Sequence, residues 1–203
     1  MGLLSGLLAP GIFGAEIEDM GQQVPLHPQE EVLVAKAAPK RRRDFALGRA
    51  CARAALSDLG QPDAVIGQGE NGAPLWPAGV VGSITHTKGY AAALVAKVQQ
   101  ARGLGVDAER VGGVTQNLWP RLFDTDECGR LAMLDDPQQH IFATLFFSAK
   151  EAVYKASGTA TALPFRAIRI MPEESGFTAV WSGEIFRGRY VLREDLMVTA
   201  VGV

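Results

Sequence analysis

Within Phe146-Phe147-Ser148-Ala149-Lys150-Glu151-Ala152-Val153-Tyr154-Lys155-Ala156, two lysines and a carboxylate fall on what reads as a regular helix. Glu151 and Lys155, one turn apart, share a face. In the apolar run Leu104-Gly105-Val106-Asp107-Ala108-Glu109, two carboxylates stand two residues apart, and on a strand both point to the same side. Three acids and a lysine could therefore converge. Oxygen ligands of this kind suit a hard divalent cation such as Mg²⁺, which binds through a few carboxylates together with waters and substrate phosphates. Plainer readings exist for each piece: a Glu→Lys pair at i,i+4 is the common exposed ion pair of helices, and alternate acids can line a strand's wet face. Against these, Gly103 to Val106 is otherwise apolar and Arg110 follows at once. The acids thus stand where a strand runs out into a loop, where sites are commonly built.

The elements that would position these groups are legible in outline. From Lys40 to Leu59, apolar residues at Phe45, Gly48, Ala52, Leu56 and Leu59 follow a helical spacing, with Pro39 ahead and Gly60 behind. Lys40, Arg41, Arg42 and Arg43 stack positive charge at the end of the helix that is already positive, so an anionic ligand is expected there. Arg42, Arg49 and Arg53 share a stripe at i, i+7, i+11, suited either to gripping a phosphate through guanidinium groups or to a solvated basic face. Residues 68–78 read as a Gly/Pro/Asn loop, followed by strands over Gly79 to Thr85 and Ala91 to Val98. His86 falls in the turn between them. A lone histidine there serves equally as a hydrogen-bonded structural residue or a binding group.

After Asp107 and Glu109, Gly112-Gly113 reads as a linker, since it lacks the spacing of a phosphate loop. Helical pieces through Trp119, Phe123, Leu131 and Met133 close at Asp135-Asp136-Pro137. A second long helix follows, burying Ile141/Phe142, Leu145/Phe146, Ala149, Val153 and Ala156. Glu151 and Lys155 fall off that stripe. Phe165 to Ile170, Phe177 to Trp181, Glu184 to Leu192 and Met197 to Val203 read as short strands. Each half is then helix followed by strands, the segments 91–96 and 198–203 are weakly alike, and the class is α+β.

A chain of 203 residues with 47% hydrophobic content can bury a proper core, as one domain or two small ones. A formal charge of −2 and a pI near 5.9 give no general case for nucleic acid or a membrane surface. Any basic site must be local. Cys51 and Cys128 are the only cysteines, far apart and outside metal-ligand spacing, which argues against disulfides or zinc and for a reducing cytoplasm. The first twenty residues are apolar but lack a basic start and are broken by Pro10, Gly11 and Gly14. They are expected to pack on the body rather than to act as a signal peptide or span a bilayer. His27, in the polar loop from Gly21 to Glu31, is expected at the surface.

Gly105-Val106-Asp107-Ala108-Glu109, followed about forty residues later by Phe147-Ser148-Ala149-Lys150-Glu151-Ala152-Val153-Tyr154-Lys155-Ala156, resembles the motif pair of the 4′-phosphopantetheinyl transferase superfamily. The likeness extends to Arg41-Arg42-Arg43-Asp44-Phe45, Gly48-Arg49-Ala50-Cys51-Ala52-Arg53, Gly72-Ala73-Pro74-Leu75-Trp76-Pro77 and Gly82-Ser83-Ile84-Thr85-His86. It spans about residues 40 to 157 and resembles the monomeric, two-subdomain type that activates polyketide, nonribosomal-peptide and siderophore synthases.

The resemblance implies an α+β fold of two similar subdomains related by a pseudo-two-fold, 1–104 and 105–203, with the site between them. It implies transfer of the phosphopantetheine arm of coenzyme A to a serine of apo acyl or peptidyl carrier proteins. Asp107, Glu109 and Glu151 would hold Mg²⁺ or Mn²⁺, Glu151 would also act as general base, and Lys155 would meet the departing phosphate. Arg41, Arg49, Thr85, His86, Lys150 and Lys155 would bind the coenzyme. Two departures stand out. Asn71 occupies a place where relatives often carry a basic residue, leaving one phosphate contact missing or supplied by Lys88. The family block also aligns Arg41 with the phosphate, whereas helical geometry pairs Arg42 with Arg49. Carrier choice would reside around Arg121, Phe123 and Arg130. The rival classes are a non-catalytic binder of coenzyme A or carrier domains, and another Mg²⁺-dependent phosphate-transfer enzyme.

Overall fold

Pro39 supplies the fixed φ of a first helical turn, and from it α2 runs over Pro39–Asp58 until Gly60, in the left-handed region at φ 89°, turns the chain away. The computed structural model describes every residue except Met1, Asp63, Glu70, Asn71, Ala160, Thr161, Leu163 and Val203. Ahead of α2 lie β1 (Ile12–Glu18) and the single turn α1 (Pro28–Glu31). After it come β2 (Gly67–Gln68), β3 (Pro74–Leu75), β4 (Val80–Thr87), β5 (Tyr90–Lys97) and β6 (Leu104–Arg110). Short helices α3 (Trp119–Leu122) and α4 (Thr125–Ala132) precede α5 (Asp136–Ser157). Asp135 caps α5 by accepting from Gln138 N at 2.9 Å, so Asp135-Asp136-Pro137 opens this helix as well as closing the pieces before it. The chain ends in β7 (Arg169–Glu173), β8 (Gly176–Trp181), β9 (Glu184–Arg193) and β10 (Leu196–Gly202).

Two larger antiparallel sheets result, ordered β1-β5-β4 and β6-β10-β9-β8-β7, and β2 and β3 form a small antiparallel pair within the stretch expected to be loop. The connectivity of the two larger sheets corresponds: strand, long helix and a final antiparallel pair give β1/α2/β4/β5 in one half and β6/α5/β9/β10 in the other. The period of two along each strand explains the layers. Ala91, Ala93 and Val95 face Leu47, Cys51, Ala52, Ala55 and Leu56 of α2. On the reverse side of β5, Tyr90, Ala92, Leu94 and Ala96 join Val106, Ala108, Val198 and Ala200 in a core shared by both sheets. Leu3, Leu4 and Leu7 fill that shared core, so the N-terminal segment packs on the body as expected and then adds β1 to the first sheet. Residues of β6 that do not face this core face α5, and Asp107 and Glu109 are among them.

Two expectations need correction. His86 lies within β4, paired with Ala91, because the turn is the later Lys88-Gly89, where Gly89 provides φ 78°. Phe165 to Ala167 forms a 3-10 turn rather than the start of a strand, with the Phe165 ring stacked on Phe147 at 5.4 Å. No helix among the described residues is long and apolar enough to cross a membrane.

Candidate active site

The approach of α5 to β6 decides the site. A Cβ on Gly105 would stand 1.8 Å from the Ala152 carbonyl oxygen, so only glycine lets helix and strand lie this close. Lys155 then reaches across. Its ammonium donates to Asp107 Oδ1 at 2.8 Å and to the Val106 carbonyl at 3.1 Å. The partner of Lys155 is thus Asp107 on the strand, and the surface i,i+4 pair with Glu151 is not what forms. Asp107 is only 5% exposed; its Oδ1 also accepts from the Thr85 hydroxyl at 3.3 Å, while its Oδ2 is buried without a partner.

Negative charge is in surplus here. Burial first, and then the charge of Asp107, push Glu109 up to about 7, with Lys155 opposing and Glu151 adding to the rise. Glu151 is likewise pushed up, by burial first and by Asp107, against the pull of Lys155. Three carboxylates thus face one ammonium in a poorly hydrated place. Among the described residues, no three such groups are already drawn into a ligand shell. The donor set nevertheless fits a hard divalent cation, being all carboxylate oxygen with one buried oxygen of Asp107 uncommitted.

At the other end, α2 faces β4. Arg41 Nη1 lies 3.3 Å from His86 Nε2, and Arg49, 3% exposed, donates from Nη2 to the Gly67 carbonyl at 2.9 Å. The Arg49 guanidinium sits 4.5 Å over the Phe45 ring, and its Nε has no partner. Burial lowers Arg49 to about 10, with Glu30 opposing the fall. Lost hydration also lowers His86, opposed by Asp44 and aided by Arg41. These side chains line a cavity of about 130 Å³, which shares Gly72, Pro74 and Ile84 with a cleft of about 550 Å³ lined also by Trp76, Tyr154 and Lys155. Gly72, Pro74 and Ile84 thus form a wall common to the arginine cavity and the cleft that Lys155 lines.

The structure separates other predicted residues from these cavities. The stripe of Arg42, Arg49 and Arg53 does not act together, because Arg42 pairs with Glu31 at 3.7 Å and Arg53 is held by Glu30 and the Pro25 carbonyl. Arg41 is the arginine that faces the cavity with Arg49. Lys150 lines neither cavity. Its side chain is fully buried on the core face of α5 and donates to Glu127 Oε2 at 2.6 Å, the Phe165 carbonyl at 2.8 Å and the Leu122 carbonyl at 3.0 Å. All three of its donors are spent. Sequence reasoning missed Glu127, although Asp124-x-x-Glu127 ahead of an apolar run is the signature of the capping box found at α4. Phe123, 1% exposed and edge-on to Phe146, is core and offers no face to a carrier, whereas Arg121 and Arg130 are exposed. Lys88 lines neither cavity, and Asn71 lies outside the described residues.

Both halves of the chain match profiles of known proteins. Residues 29–96 match the profile of the 4′-phosphopantetheinyl transferase N-terminal domain, and residues 103–200 that of the 4′-phosphopantetheinyl transferase superfamily. The chain is 42% identical over 154 residues to 4′-phosphopantetheinyl transferase Npt of Nocardia iowensis, covering 76% of this chain and 68% of the relative. It is 39% identical over 194 residues to 4′-phosphopantetheinyl transferase Svp of Streptomyces mobaraensis, covering 88% and 78%. Enterobactin synthase component D of Salmonella typhimurium is 36% identical over 179 residues, covering 81% and 73%.

Proposed function

Because the chain belongs to the 4′-phosphopantetheinyl transferase superfamily, we propose that it moves the 4′-phosphopantetheine arm of coenzyme A onto a serine of an acyl or peptidyl carrier protein. The observation that carries this reading is a pair of cavities with a shared wall, one lined by Arg41, the buried Arg49 and His86, the other by Lys155, whose ammonium is bonded to Asp107 beside Glu109 and Glu151. A coenzyme with a phosphorylated ribose at one end and a pyrophosphate further along needs that order of charges. Arg41, Arg49 and His86 hold the ribose phosphate through charge-assisted hydrogen bonds. Arg49 is prepared for it, since its unpartnered Nε already faces desolvation without compensation. Asp107, Glu109 and Glu151 would hold Mg²⁺, or Mn²⁺ in its place, whose charge would neutralise the pyrophosphate.

The reaction needs alignment and charge stabilisation more than covalent help from the protein. The carrier's serine oxygen forms a bond to the phosphorus that bears the pantetheine, and the bond from that phosphorus to the bridging oxygen breaks. Adenosine 3′,5′-bisphosphate departs. Glu151 takes the serine proton, a role that suits a carboxylate pushed above its ordinary range by burial and by the charge of Asp107. Lys155 follows the charge that grows on the departing phosphate. We read residues 1–104 as the coenzyme half and 105–203 as the metal half, both from one chain acting as a monomer. Free cysteines among the described residues and the use of coenzyme A support a cytoplasmic location.

Incubation with coenzyme A, Mg²⁺ and a panel of apo-carriers, read by intact mass, tests the proposal. A carrier gaining the phosphopantetheine mass supports it. Coenzyme cleavage without any carrier gain would mean a hydrolase, and binding without turnover a non-catalytic protein.

A further inference from the structure

β6 is an end strand whose one ladder partner is β10, so backbone groups pointing the other way must be satisfied by something else. Side chains of β4 do this. Val106 N donates to Ser83 Oγ at 3.0 Å, and Ala108 N donates to Thr85 Oγ1 at 3.0 Å. Two hydroxyls at a spacing of two on one strand thus meet two amides at a spacing of two on another. Both are sequestered, Ser83 at 3% exposure and Thr85 at 4%. Joining the strands through hydroxyls rather than a backbone ladder holds them farther apart, and Ser83 and Ile84 line the cleft that remains.

Between those two amides stands Asp107. Thr85 has a single hydroxyl proton, and having accepted from Ala108 N it can give that proton to Asp107 Oδ1, 3.3 Å away. Lys155 donates to the same oxygen. Both fixed donors therefore sit on Oδ1, which leaves the buried Oδ2 as the oxygen with nothing bound to it. The resemblance had suggested Thr85 as a coenzyme ligand, and it gave Ser83 no role.

We propose that Ser83 and Thr85 are positioning residues, hydroxyl rungs that fasten the coenzyme-binding sheet to β6 and turn Asp107 so that Oδ2 is the atom presented to a divalent cation. The proposal rests on Asp107 being a metal ligand. Partners that orient a ligating carboxylate typically alter metal affinity by tens of fold when removed.

The test titrates Mn²⁺ into the full chain by paramagnetic resonance and, separately, coenzyme A without metal by calorimetry. Thr85→Val keeps the shape and removes the hydroxyl; it should weaken Mn²⁺ by roughly tenfold while leaving coenzyme A affinity in place. Thr85→Ser should restore most of the loss, which a merely space-filling role would not predict. Ser83→Ala should weaken Mn²⁺ in the same direction, and it carries the test should Thr85→Val fail to fold. Wild-type Mn²⁺ affinity in Thr85→Val or Ser83→Ala, no recovery in Thr85→Ser, or loss of coenzyme A in place of Mn²⁺ would overturn the proposal. Asp107→Asn separates the two levels. If it binds Mn²⁺ as wild type does, the metal reading falls and takes the rungs with it; if it loses Mn²⁺ while Thr85→Val does not, the rungs alone fall.

Discussion

Lys150 and Lys155 stand on one helix, each beside a carboxylate, and their surroundings are opposite. The Lys150 ammonium is fully buried and spends all three donors on Glu127, Leu122 and Phe165, while Glu127 also accepts from Ile170 N at 2.9 Å and Asp124 N at 3.0 Å. Nothing in that knot is free to bind a ligand. Lys155 is 28% exposed, borders the cleft, and pairs with a carboxylate whose second oxygen has no partner. On α2 the two arginines differ in a related way: Arg53 gives its guanidinium to Glu30 and the Pro25 carbonyl, although Oε1 of Glu30 is buried without a partner, while the buried Nε of Arg49 is itself unpaired beside a cavity. A pair with every hydrogen bond made, as at Lys150, holds the fold; a vacancy marks where a ligand's charge is awaited when, as for Lys155 and Arg49, the group also borders a cavity.

The sharpest way to break this contrast is to remove the open carboxylate. Asp107→Ala should lower transfer by about a thousandfold, the upper end for losing one preorganised electrostatic group, because the proposed metal and the anchor of Lys155 go together. Its melting temperature should change little, since Asp107 contributes no apolar packing to either core cluster. Turnover retained with unchanged Mg²⁺ dependence would remove Asp107 from the site.

Lys155→Ala comes next. Its flexible ammonium can follow charge that develops only as the bond to the departing phosphate breaks, so its loss should reduce kcat by about a hundredfold with little change in coenzyme A affinity. Lys155→Arg should rescue in part, keeping the charge but not the ability to give up a proton near neutral pH. Binding lost in proportion to rate would make Lys155 a ground-state clamp.

The closed partner should respond in stability. Lys150→Ala leaves Glu127 charged and buried without compensation, a change that costs about 3–5 kcal/mol in comparable buried pairs, measurable by denaturant unfolding. A variant that melted normally but lost coenzyme A affinity would restore Lys150 to the site and erase the difference between the two lysines.

How much of this was readable beforehand follows from the range over which each signal acts. Period-two and helical patterns are local, so the long helices, the shared side of Asp107 and Glu109, and the outward placement of Glu151 and Lys155 were all legible. Lys150 was legible too, being four residues after Phe146 and three before Val153 on the buried face, but the motif resemblance outweighed its position. The choice between Arg41 and Arg42 was not, because Glu31 claims Arg42 and His86 faces Arg41, and neither neighbour is implied by helical spacing. The hydroxyl rungs depend on two strands that are not ladder partners, which no strand periodicity reports.

The mildest effect is expected at Arg49, and it sharpens the comparison on α2. Arg49 keeps one fixed bond, to the Gly67 carbonyl, and stacks on Phe45, so its place is set before any ligand arrives. What it lacks is a partner for Nε, which a ribose phosphate in the adjoining cavity would supply. One charge-assisted hydrogen bond is worth about 1.5–3 kcal/mol, so Arg49→Ala should weaken coenzyme A by roughly ten- to a hundredfold. Dephospho-coenzyme A, which has no 3′-phosphate, should lose far less. Arg53→Ala should do the reverse, lowering the melting temperature by releasing Glu30 while leaving the ratio of the two affinities alone. Equal losses for both ligands in Arg49→Ala would mean that the arginine contacts the pyrophosphate or only supports the fold, and the distinction between an open and a closed arginine on this helix would no longer stand.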